Sequence, residues 1–462
     1  MGTNPLTDHP GAAKAGAPLS VELARALQHL RAKGIPEEVK RSVRLHIADA
    51  IGIGIAARSS ELAGCVTSAQ HALSGPGPCS LLGGGAAAPA SAAFINASLI
   101  HILDYDDIHD QGRLHPGPVA LPAAMAALET TGMTAAAADK ALIEAVALST
   151  ELMCRLGLAW SPKGQGAGAD WFLTQLFGYV AAAVAAAGVL GLDEDRVVSA
   201  IGLAYMQAAG GKQAGFGTGA TARAIYPAFA AQGGLQAALL AQAGLTGPEG
   251  ALDGDAGLFP VYFGGHLGQA QRAALLDFGH WHCLDVDFKP WPCCRLSHPY
   301  VAVALAARER LRGSECRRVI AEVNASAARL CRPLDQRRRP ATLQDAKYSI
   351  PFMTAFALVR GAPTLDNLNE SVLHDQAILD MAQRIEVEEA LADNAGHPAA
   401  VLHVEQAGEP PSRHAFEAAD LHMDQAAVKS KFVQCLRYAD RAGDAETIWL
   451  AIMEGRIMDA VR

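Results

Sequence analysis

From Leu19 to about residue 260, no segment of this chain sustains an alternation of apolar and polar residues with a period of two. A half-buried strand needs that alternation, because successive side chains point to opposite faces of a sheet. A chain that withholds it over half its length is committed to helices there. Helix signals stand in its place. Pro36-Glu37-Glu38-Val39 puts a proline and two acids in a first turn, where the missing N–H costs nothing and the carboxylates meet the positive end of the dipole. Apolar residues follow at Val43, Leu45, Ile47, Ile51 and Ile55. After a break at Gly83-Gly84-Gly85, helices are predicted at 89–103, 119–131, 137–157, 171–191, 194–209 and 228–243.

Composition supports close helix packing. Half the residues are hydrophobic, 6% are aromatic and 18% are charged, with 45 glycines and abundant alanine. Residues 171–192 carry no charge over 22 positions, which is membrane-spanning length, but their Ala and Gly content points to a buried bundle helix. The net charge of −9 comes without a basic stripe, so neither nucleic acid nor an anionic membrane is expected as a partner. Nine cysteines occur without a CxxC, and the first 20 residues hold no apolar core of signal-peptide length. Free thiols in a reducing cytoplasm are expected.

The texture changes after Gly264-Gly265. Short β-branched, partly alternating runs appear at 318–323, 384–388 and 400–404, with helices between them at 298–311, 348–359 and 375–382. The expected fold is mainly α: a large, discontinuous all-helical domain (19–265 and 414–462) and a smaller α+β lid domain (266–413), after a disordered N-terminus at 1–18. Gly215-x-Gly217-x-Gly219 lacks a preceding strand and reads as a flexible loop rather than a dinucleotide fingerprint.

Chemistry concentrates in one string. His101-Ile102-Leu103-Asp104-Tyr105-Asp106-Asp107-Ile108-His109-Asp110 holds four carboxylates and two histidines between an apolar run and a helix, with His115-Pro116-Gly117 just after. A solvated loop, a helix cap or a hard-cation site could use the acids. A histidine before proline is turned away from helix and held at a bend, which suits a side chain facing a pocket. Carboxylates and imidazoles in a cleft are the parts of proton transfer. A second string, Lys289-Pro290-Trp291-Pro292-Cys293-Cys294-Arg295-Leu296-Ser297-His298-Pro299, presents cations on a stiff loop, as a carboxylate substrate would require. Zinc on Cys293, Cys294 and His298, with His280, His282 and Cys283 nearby, is a weak alternative. Lys347-Tyr348-Ser349-Ile350-Pro351 opens a later helix, and Arg223 precedes the 228–243 helix. Lys212 and Arg155 read as surface or structural cations.

Together and in this order, His101-x-x-Asp104-Tyr105-Asp106-Asp107 with His115-Pro116-Gly117, Lys289-x-x-Pro292-Cys293-Cys294 with His298-Pro299, and Lys347-Tyr348-Ser349-Ile350-Pro351 resemble the MmgE/PrpD family. That family includes 2-methylcitrate dehydratase, cis-aconitate decarboxylase and iminodisuccinate epimerase. The resemblance spans about 19–455. It implies a helical domain closed by the C-terminal helices, an inserted lid, a cleft between them and a homodimer. It also implies catalytic roles for Asp104, His115 and Lys289. Three positions depart from the family pattern: Ile108 where a threonine is frequent, Phe172 where a histidine stands, and Phe352 where a tyrosine stands.

The expected substrate is therefore a small di- or tricarboxylate, held by Arg223, Lys347, Arg295 and His101. Proton transfer alpha to a carboxylate needs no metal or organic cofactor. A hydro-lyase of the dehydratase type is the leading expectation, with an epimerase, a decarboxylase and a non-catalytic carboxylate-binding relative as alternatives.

Overall fold

The computed structural model describes residues 16–160, 168–215, 220–311, 316–392, 399–416 and 421–461. Most of the N-terminal segment expected to be disordered, and the Gly217–Gly219 part of the glycine loop, lie outside these residues.

The first half is helical. Its elements are α1 (Leu19–Lys33), α2 (Glu37–Ala56), α3 (Glu61–Ser74), α4 (Pro89–Ile102), α5 (Gly117–Leu128), α6 (Ala135–Ala159), α7 (Leu173–Val189), α8 (Glu194–Tyr205), α9 (Tyr226–Gln242), α10 (Leu258–Phe263) and α11 (Gln269–Leu276). The glycine break is a small hairpin, β1 (Cys79–Ser80) against β2 (Ala86–Ala87), turned by glycines 83, 84 and 85 at positive φ. Uncharged α7 is wrapped by α5, α6, α8 and α9 and is buried almost throughout. Small residues make this possible. A β-carbon on Gly178 would lie 2.9 Å from that of Ala230 in α9, closer than real contacts allow. No helix among the described residues is long and apolar enough to cross a membrane.

The second half carries α12 (His298–Arg310), β3 (Cys316–Val323), the short α13 (Ala325–Ala328), α14 (Leu334–Arg338) and α15 (Leu343–Lys347), then α16 (Ile350–Arg360), α17 (Gln376–Gln383), β4 (Ile385–Glu389), β5 (Val401–Gln406) and β6 (Ser412–Ala415). The sheet order is β4-β3-β5-β6, with β3 parallel to β4 and the other pairs antiparallel. Register sets Val319 beside Ile385 and Ala321 beside Leu402. These buried residues share a core with Tyr300, Ile350 and Phe356 from α12 and α16. Edge strand β6 was not legible as a strand, because Ser412-Arg413-His414-Ala415 packs no fully buried side chain.

The chain then returns. Val428, Phe432 and Leu436 of α18 (Gln425–Tyr438) join the core of the first half, as do Ile448, Trp449 and Ile452 of α19 (Ala445–Met453) and Ile457 of α20 (Ile457–Val461). The fold is mainly α, and its two large hydrophobic cores among the described residues are one helical and one built on the mixed sheet.

Candidate active site

The acidic string leaves α4 at a single distorted residue. Asp104 adopts a left-handed backbone, φ 56°, and its N–H donates to the His101 carbonyl at 2.8 Å. Aspartate tolerates that region better than most residues, though at some cost. The carboxylate is buried. A segment from the second half of the chain reaches it. Ile108 and Asp287 exchange backbone hydrogen bonds of 2.9 and 2.8 Å, and this two-residue bridge carries Lys289 to Asp104. Lys289 Nζ donates to Asp104 Oδ1 at 2.8 Å and to the Asp104 carbonyl at 3.1 Å. Burial raises the Asp104 pKa, but Lys289 and His101 outweigh it and hold the carboxyl below its ordinary range. Burial likewise disfavours the Lys289 ammonium, and Asp104 and Asp106 more than restore it. Both groups stay charged.

Returning helix α18 pins the same loop. Lys431 Nζ, buried, reaches Asp49 Oδ1 at 2.8 Å and the Tyr105 carbonyl at 2.8 Å. Asp107 then turns the chain into α5, its Oδ1 accepting the Gly117 N–H at 2.9 Å.

His115 sits in the turn before α5. Its Nδ1 lies 2.6 Å from the Asp107 carbonyl oxygen, which can only accept. In the neutral ring the proton therefore sits on Nδ1, and Nε2 is the basic nitrogen. Its backbone N–H donates to Thr174 Oγ1 at 2.9 Å, fixing the ring from α7. Burial pushes its pKa down to about 4, with Asp106 opposing the shift. His101 donates to Asp106 Oδ2 at 2.9 Å, and burial of Asp106 is outweighed by His101 and His115, so that carboxyl stays ionised.

These elements enclose a cavity of about 190 Å³ between the two cores. Asp104, His115, Lys289, Arg223 and Arg295, from three separate stretches of sequence, all line it. Asp104 Oδ2 and Arg223 Nε are buried there without a hydrogen-bond partner among the described residues. Arg223 lies over the Tyr348 ring, 3.1 Å from its centroid, and Nη1 donates to the Gly215 carbonyl at 2.8 Å. Arg295 is already engaged: it chelates Asp110 at 2.6–3.1 Å and reaches Asp287 at 3.0 Å.

Two expected substrate contacts fall elsewhere. Lys347 is buried behind the wall and donates to the Leu103 carbonyl at 3.0 Å, and His101 is buried beneath Asp106; neither lines the cavity. Both hold the loop that presents Asp104. Arg155 is buried in α6 against Glu151 at 2.6 Å, so it is structural. Lys212 is the reverse case. Read as a surface or structural cation, it lines the cavity. Tyr348 and Tyr226 line it too. Only their place beside Lys347 and after Arg223 in sequence could have signalled them. Ile108 and Phe172 form part of the apolar wall, with Phe172 stacked on Tyr226 at 4.2 Å. Phe352 is fully buried and does not reach the cavity.

Cys293, Cys294 and His298 do not converge as metal ligands among the described residues. His298 Nε2 lies 3.2 Å from the Cys293 carbonyl, and burial raises both thiols. The group that does converge is His109, His282 and Asp285. There His109 Nδ1 accepts the Gly112 N–H at 2.9 Å, which leaves the ring proton on Nε2 and no lone pair for an ion in the neutral ring. All nine cysteines are free thiols.

Comparison with known proteins agrees with this architecture. The family model for the MmgE/PrpD N-terminal domain matches residues 21–270, and that for the MmgE/PrpD C-terminal domain matches 291–452. A cis-aconitate decarboxylase of Aspergillus terreus is 26% identical over 396 residues, 81% of this chain and 78% of the fungal one. A cis-aconitate decarboxylase-like protein of Aspergillus oryzae is 26% identical over 403 residues, 82% of this chain and 81% of its own. Human cis-aconitate decarboxylase is 24% identical over 311 residues, 65% and 61% of the two chains. With one family model covering more than half its length and a second most of the remainder, the chain belongs to the MmgE/PrpD family.

Proposed function

We propose that this protein is a lyase acting on a small di- or tricarboxylate by proton transfer alpha to a carboxylate, a reaction its own side chains can carry. One observation supports this most: the neutral imidazole of His115, the ionised Asp104–Lys289 pair and the Arg223 guanidinium line one small cavity. Arg223 orients a substrate carboxylate. His115 Nε2 removes the alpha proton. The negative charge that then spreads onto the carboxylate develops beside Lys289, where a fixed cation is worth more than in water. If the beta carbon bears a hydroxyl, the C–O bond breaks, the double bond forms, and the Tyr348 phenol, kept protonated by burial, supplies the proton for departing water. This is the dehydratase reading, favoured by the pairing of His115 as a base with a protonated Tyr348.

Decarboxylation of an unsaturated tricarboxylate is a second reading, favoured by the names of the relatives. Epimerisation uses the same base and needs no group to protonate a leaving hydroxyl, which the apolar Ile108 and Phe172 suit. The same proposal includes a helical body (19–265 and 414–462) closed by a lid (266–413), and a homodimer in the cytoplasm.

Proton NMR of candidate polycarboxylates with the enzyme in heavy water tests the readings. A new vinyl signal with loss of a hydroxyl-bearing carbon supports dehydration, and carbon dioxide release supports decarboxylation. Deuterium at the alpha carbon without either supports epimerisation. Binding with no turnover across the panel refutes a catalytic role.

A further inference from the structure

Six cations and two carboxylates line the cavity. Lys289 is matched by Asp104, and Arg295 by Asp110 and Asp287. Arg329 lies 3.9 Å from Asp170 Oδ1. Lys212 and Arg223 have no acidic partner at ion-pair distance among the described residues. The Arg223 side chain is tied to the turn that carries Lys212. Lys212 opens the turn Lys212–Gly215, and it is the Gly215 carbonyl that accepts from Arg223 Nη1 at 2.8 Å. The turn itself is anchored to the start of α7. The Lys212 N–H donates to the Asp170 carbonyl at 2.8 Å, and the Phe172 N–H donates to the Gly210 carbonyl at 2.7 Å. A β-carbon on Gly215 would touch both Lys212 Cγ, at 3.0 Å, and Phe172 Cζ, at 3.4 Å. The lysine stem thus lies close to the apolar ring, and its ammonium supplies a charge that Phe172 cannot.

We propose that Lys212 and Arg223 form a second carboxylate clamp in this cavity, holding a third carboxylate beyond the two that a dicarboxylate also carries, and that Lys212 thereby selects tricarboxylates over dicarboxylates. The inference rests on the carboxylate reading of the cavity given above. Two adjacent cations without counter-ions repel each other, and a carboxylate between them relieves that repulsion while accepting charge-assisted hydrogen bonds. The groups facing Lys212 are consistent with this. Burial and then Arg223, Arg329 and Arg113 push its pKa down to about 8, against which the Cys294 thiol acts weakly. The clamp is therefore charged at neutral pH and discharges above about pH 8.

Isothermal titration with propane-1,2,3-tricarboxylate and pentanedioate, which share a carbon chain and differ by the central carboxylate, tests the clamp. The protein should bind the tricarboxylate about tenfold tighter or more, the worth of one charge-assisted hydrogen bond. Lys212→Met should erase most of that preference while leaving pentanedioate affinity nearly unchanged. Lys212→Arg should keep it. In the unsubstituted protein the preference should shrink between pH 7 and 9, and in Lys212→Arg it should not. An unchanged preference in Lys212→Met, or one independent of pH over that range, overturns the inference. Arg223→Met and Lys289→Met separate the two levels. If they weaken both acids while Lys212→Met leaves the preference intact, the carboxylate cavity stands and only the clamp falls. If neither acid binds the unsubstituted protein, both fall.

Discussion

Replacing Lys289 with methionine keeps the reach of the side chain and removes its charge. The ammonium is fully buried, 2.8 Å from Asp104 Oδ1. At that separation two unit charges attract by about 6 kcal/mol with an effective dielectric of about 20. Desolvation of both ions offsets most of this, so the intact pair contributes little net stability. Removing one partner is different: Asp104 keeps its desolvation cost and loses its compensation. Breaking a buried pair from one side costs about 3–5 kcal/mol, and that loss is expected for Lys289→Met. Asparagine at position 104 accepts the left-handed backbone there and carries no charge. Adding Asp104→Asn to Lys289→Met should therefore restore much of the lost stability. Turnover should stay abolished, because the cation beside the developing negative charge is gone. Urea unfolding at pH 7 of the parent, both single variants and the double variant reads the coupling, and the heavy-water NMR assay reads turnover. If the double variant is as unstable as the sum of the singles, the two residues do not compensate each other and the electrostatic reasoning is wrong. If Lys289→Met retains full turnover, the lysine has no part in the chemistry.

His115→Gln should lower turnover by about 10²- to 10⁴-fold, the worth of one positioned acid or base. In the unsubstituted enzyme the acid limb of kcat/KM should fall near pH 4, where burial places the imidazole; a limb at the ordinary histidine value of about 6.5 contradicts the buried neutral ring. Acid stability follows from the same shifts. His109 and His115 titrate near 4 in the fold and burial holds His298 well below 6.5, so the unfolded chain takes up protons first. Stability due to these groups is complete above about pH 7 and lost as pH falls from about 6.5 toward 4, with up to about 1.4 kcal/mol per pH unit for each group. Identical unfolding midpoints at pH 7 and pH 5 would exclude this.

The helical half was legible because its signals are local. Pro36, the acids after it and the apolar spacing that follows place α2 at Glu37–Ala56. Alanine and glycine in 171–192 place α7 in the core, as expected of an uncharged run too poor in large apolar groups to span a membrane. The β-branched runs at 318–323, 384–388 and 400–404 correspond to β3, β4 and β5. A polar edge strand such as β6 carries no such signal, because its stability comes from backbone pairing with β5.

For the site, the sequence by itself determined which residue types were present: an acid-rich turn after a helix, a histidine held before proline, and a lysine on a proline-stiffened loop. Only the tertiary structure decided which of them meet. Lys289 and Asp104 lie 185 residues apart, and they pair because a two-residue backbone bridge and the returning α18 fix the loop between α4 and α5. Lys347 looked as available as Lys289, yet its ammonium is spent on the Leu103 carbonyl behind the wall. Lys212, unremarkable in sequence, faces the cavity because its turn is stitched to α7. Side-chain identity is written locally. Burial, partner and charge state depend on long-range contacts, and those are what turn a lysine into a substrate clamp, a structural tie or a surface charge.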